Sequence, residues 1–463
     1  MKKIYLAFGL VAGMALTSCN LDTLPSTSLG EDIAITTESD LQNAVNGVGY
    51  LVSEDRMTYG AEYGIYADLL TNECKIVDDY GQSSGIARYT ITKNDELPES
   101  AYCYYYKAIA NCNKALALSE KLDQTAEVKN LQGQLYAWRG MLHFDLARLF
   151  AHIPTAAADV NAANSGIVLS TEVYAPDYKG QRATLKATYD QIISDFTKAM
   201  ELMGSADNGV GYHNYYSALA LRARANLYTG NYAAALADAK EVIANGGYEL
   251  YTQGNYDKVW AQEGTSESIF ELLITANHNA QRNSLGYYTD ASGYPECALA
   301  DDGEILTYLL ATPGDVRSKV IKNQTVAGVA GTHYFPAKYP GRDGIYVNNP
   351  KIIRLSEVYL IAAEAELKGN NNGTAAADYI NAIEENRVAG YVDVPTVTID
   401  DILFEYKKEF FAENQIAFAY WRNLKSVTNQ VNQVINYNDD KTIWPIPQRE
   451  IDYDPTLVQN PGY

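Results

Sequence analysis

The stretch Thr229-Gly230-Asn231-Tyr232-Ala233-Ala234-Ala235 decides the architecture. Apolar residues recur at helical spacing before it, over 213–228, and after it, over 233–244, so the stretch reads as a turn between two helices. The glycine ends the first helix, the tyrosine fills the corner, and the alanines let the second helix lie close on the first. Residues 352–368, Gly369-Asn370 and 374–386 repeat this plan. A third, less typical pair is 100–122 followed by 125–151. Its first helix carries Tyr102, Tyr106, Ile109, Ala110, Cys112 and Leu116. Its second carries Leu135, Trp138, Leu142, Leu146 and Leu149, and Pro154 stops it. Residues 184–203 add a helix with Tyr189, Ile192, Ile193, Phe196 and Met200 along one side.

A small-residue, aromatic-bearing turn between paired helices resembles the tetratricopeptide (TPR) repeat, whose units stack because none can bury its apolar face alone. Outside the pairs the pattern changes. A helix over 40–54, capped by Ser39 or Thr37, precedes a turn-rich stretch at 65–98 that contains Asp78-Asp79-Tyr80-Gly81 and Ser83-Ser84-Gly85. From 248 to 350 helical periodicity fades, Gly, Pro, Asn and Tyr are frequent, and 268–274 has the composition of a strand. The expected fold is therefore mainly α: a TPR-like helical-pair scaffold, with pairs near 100–151, 184–246 and 352–386, long irregular loops and a few short strands. The irregular region near 248–350 is the expected ligand-binding part, since long loops on rigid scaffolds carry function.

The N-terminus reads as an export signal. Lys2 and Lys3 precede an uncharged, apolar run over 4–15. That run is shorter than the ~20 residues a membrane-spanning helix needs and has the length of a signal-peptide core. It ends in Leu16-Thr17-Ser18-Cys19, the order that a lipoprotein signal peptidase reads. Cys19 is the expected lipidation site and mature N-terminus, where several acyl chains would anchor the protein firmly. The expected organisation is a lipoprotein signal peptide at 1–18, a tether at 19–37 and a single domain at 38–463.

Composition narrows the function. The 463-residue chain carries a formal charge of −21, which repels phosphate backbones and sets nucleic acid aside as a partner. Tyrosine is the outlier, with 38 against 10 Phe and 4 Trp; its apolar ring with a polar tip suits half-exposed contacts to sugars or peptides. Beyond Cys19, the cysteines Cys74, Cys103, Cys112 and Cys297 have no metal-binding spacing. Cys103 and Cys112 sit on opposite faces of one predicted helix, so they do not pair with each other. All four are read as structural or free.

Family features appear at several places. Arg354-Leu355-Ser356-Glu357-Val358-Tyr359-Leu360-Ile361-Ala362-Ala363-Glu364-Ala365 resembles the R-x-x-E-x-x-L-x-x-A-E-A helix of the SusD/RagB family. The C-terminus, Trp444-Pro445-Ile446-Pro447-Gln448-Arg449-Glu450-Ile451 and Gln459-Asn460-Pro461-Gly462-Tyr463, is similar to that family's terminal signature. Cys19-Asn20-Leu21-Asp22, Asn46-Gly47 and Ala110-Asn111-Cys112-Asn113 agree with it too, so the likeness spans nearly the whole mature chain. One departure stands out. After Glu409-Phe410-Phe411-Ala412-Glu413 the family has Gly, Arg and Asp-Leu; here Asn414, Ile416 and Ala419-Tyr420-Trp421-Arg422 follow, which puts a local salt bridge in question.

The resemblance implies a SusD-like fold in a lipid-anchored, surface-exposed outer-membrane protein. It further implies a SusC-like TonB-dependent transporter as partner, to which the protein hands a captured oligomer. An oligosaccharide is the expected ligand and a RagB-like peptide the alternative; a TPR scaffold lipoprotein without nutrient binding is a third reading. The ligand-contact candidates lie in the two irregular regions: Tyr80, Arg88 and Tyr89 in the first, and Asn277, His278, Asn279, Arg282, Tyr287, Tyr288 and Tyr294 in the second. No cofactor, metal or catalysis is expected. The chain has no GxSxG, Walker or dinucleotide motif and no paired histidines. Asp301-Asp302-Gly303-Glu304 lacks calcium-loop spacing and reads as a solvated turn. Glu405, Glu409 and Glu413 share one helix face with Lys407 and Lys408 nearby, and read as a solvated or salt-bridged stripe rather than a hydrolytic pair.

Overall fold

The computed structural model describes residues 34–175 and 177–463; the signal segment, Cys19 and most of the tether lie outside the described residues. Helix α1 (Glu38–Glu54) begins at Thr37. The Thr37 hydroxyl accepts from the Asp40 amide at 3.2 Å while the Asp40 carboxylate accepts from the Thr37 amide at 2.9 Å, a reciprocal cap. The scaffold proper comprises α2 (Glu96–Ser119), α3 (Ala126–Phe150), α4 (Leu185–Met203), α5 (Tyr215–Thr229) and α6 (Tyr232–Asn245). After a long excursion that contains α7 (Glu304–Ala311) come α8 (Leu355–Asn370) and α9 (Gly373–Arg387), then α10 (Ile399–Phe410) and α11 (Ile416–Arg422). Threonines cap two further helices: Thr125 accepts from the Val128 amide and Thr184 from the Ala187 amide, each at 3.1 Å.

Each helix packs on the next, α2 on α3, α3 on α4, α4 on α5 and α5 on α6; α6 then packs on α8, and α8 on α9. The stack is thus continuous, and residues 246–354 loop out of it between α6 and α8. The turn at 229–235 works as its residues suggest. Gly230 closes α5 at φ +75°, a left-handed position that glycine adopts without strain. Tyr232 fills the corner against the end of α8, where a Cβ on Gly369 would lie 2.8 Å from the Tyr232 Cβ. Alanines 218, 220, 223, 225, 235 and 239 are buried between the helices.

Two expectations about segments are corrected. The second helix pair does not start at Ile352: Lys351–Arg354 forms strand β6, antiparallel to β2 (Ser268–Glu271), and the helix begins at Leu355. Ile352 and Ile353 are both buried, and a β-branched run enclosed on both sides suits a strand. The strand expected over 268–274 ends at Glu271, because the chain then bonds from the Leu272 amide to the Pro350 carbonyl outside the ladder. A second sheet, ordered β1-β3-β5-β4, joins Cys74–Lys75 (β1), Ala298–Leu299 (β3), Ile321–Gln324 (β4) and His333–Pro336 (β5). It binds the turn-rich stretch near 65–98 to the excursion.

A buried ionic network ties the excursion to the helix ends. Arg354 donates to Glu413 at 2.8 and 2.9 Å, to Glu267 at 2.5 Å and to Glu409 at 3.0 Å. Arg387 reaches Glu267 at 2.6 Å and Glu409 at 3.0 Å, and Arg317 reaches Asp315, Glu384 and Glu405. Glu405, Glu409 and Glu413 are therefore salt-bridged but not solvated. Glu413 lies past the end of α10, after a turn with Ala412 at φ +59°. Asn414 takes φ +62°, a conformation that asparagine tolerates. Arg422, further along, grips Glu364 of α8 with two bonds at 2.8 and 2.6 Å.

Candidate functional site

Four tyrosine rings form an arc where the two irregular regions meet. Tyr80 lies 5.3 Å from Tyr294 between centroids, Tyr294 lies 4.9 Å from Tyr287, and Tyr287 lies 5.6 Å from Tyr346. Tyr80 is 53% exposed and the other three are partly exposed, so the rings combine fixed positions with accessible edges and faces.

The arc is held from behind. Glu296 is buried, and its carboxylate accepts from the backbone amides of Tyr80 at 2.9 Å, Gln82 at 3.3 Å and Ser83 at 2.5 Å. Burial pushes its acid strength toward a higher pKa, and those amide bonds partly offset the shift. One carboxylate from the second region thus fixes the loop of the first. Tyr287 sits on the single helical turn Leu285–Tyr288. That turn lies so close to the 345 loop that a Cβ on Gly286 would fall 2.2 Å from the Ile345 carbonyl oxygen, and this closeness brings Tyr346 to Tyr287. The Tyr294 amide donates to the Tyr287 carbonyl at 2.9 Å. Asp290, beneath the same loop, binds Lys322 at 2.5 Å and Gln324 at 3.0 Å. Partial burial raises the Asp290 pKa, but bonds from Lys322, Ser292 and Gln324 outweigh it and hold the carboxyl at about 2.

The other candidates fall in different places. Arg88 is exposed beside the arc's first loop and pairs with Asp79 at 3.1 Å. Tyr89 turns inward and donates to the Leu70 carbonyl at 2.7 Å. Tyr288 is buried beneath Tyr294, with its hydroxyl donating to Glu62 at 3.3 Å. Asn277, His278, Asn279 and Arg282 belong to a separate turn over the end of α1. There the His278 ring packs edge-on to Tyr50 at 4.0 Å and its Nδ1 lies 3.1 Å from Glu54. Asn279 is buried and donates to the carbonyls of Thr275 and Ala276, while Asn277 and Arg282 are exposed. Sequence reasoning missed Tyr346 and Glu296. It also missed a second tyrosine-walled hollow of about 320 Å³, which is lined by Tyr102, Tyr106, Tyr174, Tyr178 and Tyr453.

Nothing in the arc assembles acid–base or nucleophilic chemistry. The clustered carboxylates of α10 are neutralised by buried arginines away from it. Among the described residues no group of three His, Cys, Asp or Glu could hold a metal ion. Asp301 and Glu304 instead pair with Lys75 and Lys407 at 2.5 and 2.7 Å.

Such a scaffold, with stacked helix pairs presenting a ring-lined surface on ordered loops, defines a helical-repeat protein. A family model described as starch-binding associating with outer membrane matches residues 20–227, and the SusD family model matches 302–463. A SusD superfamily protein of Bacteroides thetaiotaomicron is 30% identical, with a TM-score of 0.86 over 92% of this chain and 100% of that one. Another, from Bacteroides vulgatus, is 28% identical with a TM-score of 0.83 over 93% and 100%. SusD-like protein P2 of Formosa agariphila is 22% identical over the full length of both chains. A laminarin-binding SusD-like protein, 21% identical, shares the fold with a TM-score of 0.75. The chain belongs to the SusD family.

Proposed function

We propose that this protein is a non-enzymatic, lipid-anchored surface protein of the outer membrane. In this reading it captures an oligomeric glycan on the Tyr80–Tyr294–Tyr287–Tyr346 arc and passes it to a SusC-like TonB-dependent transporter. The observation that carries the reading is the arc itself: four partly exposed rings from three segments, with the Tyr80 loop clamped by Glu296. Flat aromatic faces stack on the C–H faces of sugar rings, and the tyrosine hydroxyls and nearby Arg88 and Asp79 can address sugar hydroxyls. The carbohydrate named for one protein of the same fold supports a glycan over a peptide. Lipidation at Cys19 would supply the anchor, and no described helix is long and apolar enough to cross a membrane. The test is affinity electrophoresis of the purified protein through gels containing a panel of soluble glycans, run beside a peptide library. Retardation by at least one glycan, relieved by Tyr294→Ala, is the expected result. Binding of peptides alone would move the protein to the RagB-like reading, and binding of neither, with transporter capture intact, to a scaffold.

A further inference from the structure

The thiols of Cys74 and Cys297 lie 3.0 Å apart, sulfur to sulfur, although 223 residues separate them in the chain. Both are buried, at 3% and 2% exposure. They sit diagonally on one face of the β1–β3 pair, where Cys74 faces Leu299 and Lys75 faces Ala298, and both side chains lean into the same gap. The strands are held in register on both sides, by the Ala300 amide on the Glu73 carbonyl and the Val77 amide on the Pro295 carbonyl. A disulfide bond is about 2.05 Å long, so closure needs a movement of about 1 Å, within the range of a side-chain rotation. Among the described residues no third ligand stands by to make the pair a metal site.

We propose that Cys74 and Cys297 form a disulfide that staples the first irregular region to the second. As the chain folds and before the pair is enclosed, one thiolate attacks the sulfur–sulfur bond of a protein or glutathione disulfide and forms a mixed disulfide, which expels one thiolate of the oxidant. The second cysteine then attacks the mixed disulfide and releases the other. Both cysteine sulfurs are oxidised by one electron each, the oxidant takes the pair and leaves as two thiols, and the two cysteine protons end on those thiols. The bond closes a very long loop, which is the case where a cross-link most restricts the unfolded chain. Cys74 lies six residues before Tyr80, and Cys297 three after Tyr294 and one after Glu296. The staple therefore braces both ends of the Tyr80–Tyr294 contact. This consequence for binding rests on the glycan reading above; the bond does not.

The test is peptide mapping of the full-length purified protein after refolding from denaturant in a glutathione redox buffer, then denaturation and alkylation. A joined peptide containing Cys74 and Cys297, lighter than the two thiol peptides by two hydrogen atoms, is expected, with Cys103 and Cys112 unpaired, each recovered alkylated or as its glutathione adduct. Recovery of Cys74 and Cys297 as alkylated thiols would overturn the proposal. So would a joined peptide that pairs either of them with Cys103 or Cys112. A second measurement stands apart from the map. Reductant should lower the thermal midpoint by about 5 °C in the wild type and in Cys103→Ser, and leave Cys74→Ser/Cys297→Ser unmoved; an equal shift in all three counts against it. The peptide map reads the bond whether or not any glycan binds, so failure of the binding reading and failure of this one remain distinct.

Discussion

Replacing Arg354 by methionine tests whether the buried ionic hub holds the excursion to the scaffold. Arg354 is fully buried and donates to Glu413 twice, to Glu267, to the Ser356 hydroxyl at 2.6 Å and to Glu409 through both its carboxylate and its carbonyl. Methionine fills similar apolar space and removes all of these bonds. The carboxylates left behind are not equally bereft. Glu267 and Glu409 keep Arg387 at 2.6 and 3.0 Å, whereas Glu413 keeps only Lys338, at 2.5 Å. Removing one partner of a buried pair typically costs about 3–5 kcal/mol, and the full range applies here because one carboxylate loses its bidentate partner. Arg354→Lys keeps the charge without the planar fork and should cost about 1–3 kcal/mol. The assay is urea unfolding followed by tryptophan fluorescence, to which Trp138, Trp260, Trp421 and Trp444 are suited because all four are buried. If uncompensated charge is the cause, adding Glu413→Gln to Arg354→Met should recover about 1–2 kcal/mol, as neighbours in one network couple. A loss below about 1 kcal/mol for Arg354→Met, or costs that simply add in the double variant, would refute the reasoning.

Three further outcomes follow from the geometry. Tyr294→Ala, at the centre of the arc, should weaken glycan affinity about tenfold, as removal of a stacking ring does. Tyr89→Phe should leave it unchanged, since that hydroxyl is spent on the Leu70 carbonyl; isothermal titration reads both. Asp68 is buried, which raises its carboxyl to about 7 against offsetting bonds from the amides of Asn414 and Ala412. The folded protein then holds that proton more tightly than the unfolded chain, where the acid lies near ~3.9. The stability from this group is complete below the unfolded value and is lost as pH rises through about 7. Asp68→Asn should flatten the fall in urea midpoint between about pH 4 and 7 by up to one proton, ~1.4 kcal/mol per pH unit, and an unchanged slope would count against it. Cys19→Ser in the native host should abolish incorporation of labelled fatty acid and release the protein from the membrane fraction; retention of label would remove Cys19 as the anchor.

Helices were legible in the sequence where local signals agree. Thr125 and Thr184 cap the helices they precede, and the Gly230–Tyr232 corner is a short-range feature whose residues explain their own conformation. What was illegible depends on partners far away in the chain. Ile352 and Ile353 carry an apolar run that fits a helix or a strand, and the choice is made by β2, some eighty residues earlier. Tyr346 becomes part of the arc only because Gly286 admits the Ile345 carbonyl. Glu296 looks like one surface acid among many until its carboxylate is seen beneath three amides of another loop. Arg354 shows the same limit from the other side. The motif around it marks the family, but nothing local says that it joins Glu267 at the edge of the excursion to Glu409 and Glu413 at the end of α10. Charge buried at that junction gives a physical reason why a glycine- and asparagine-rich segment keeps one shape. Its polar ends are committed to the scaffold, and the tyrosine rings between them stay partly exposed.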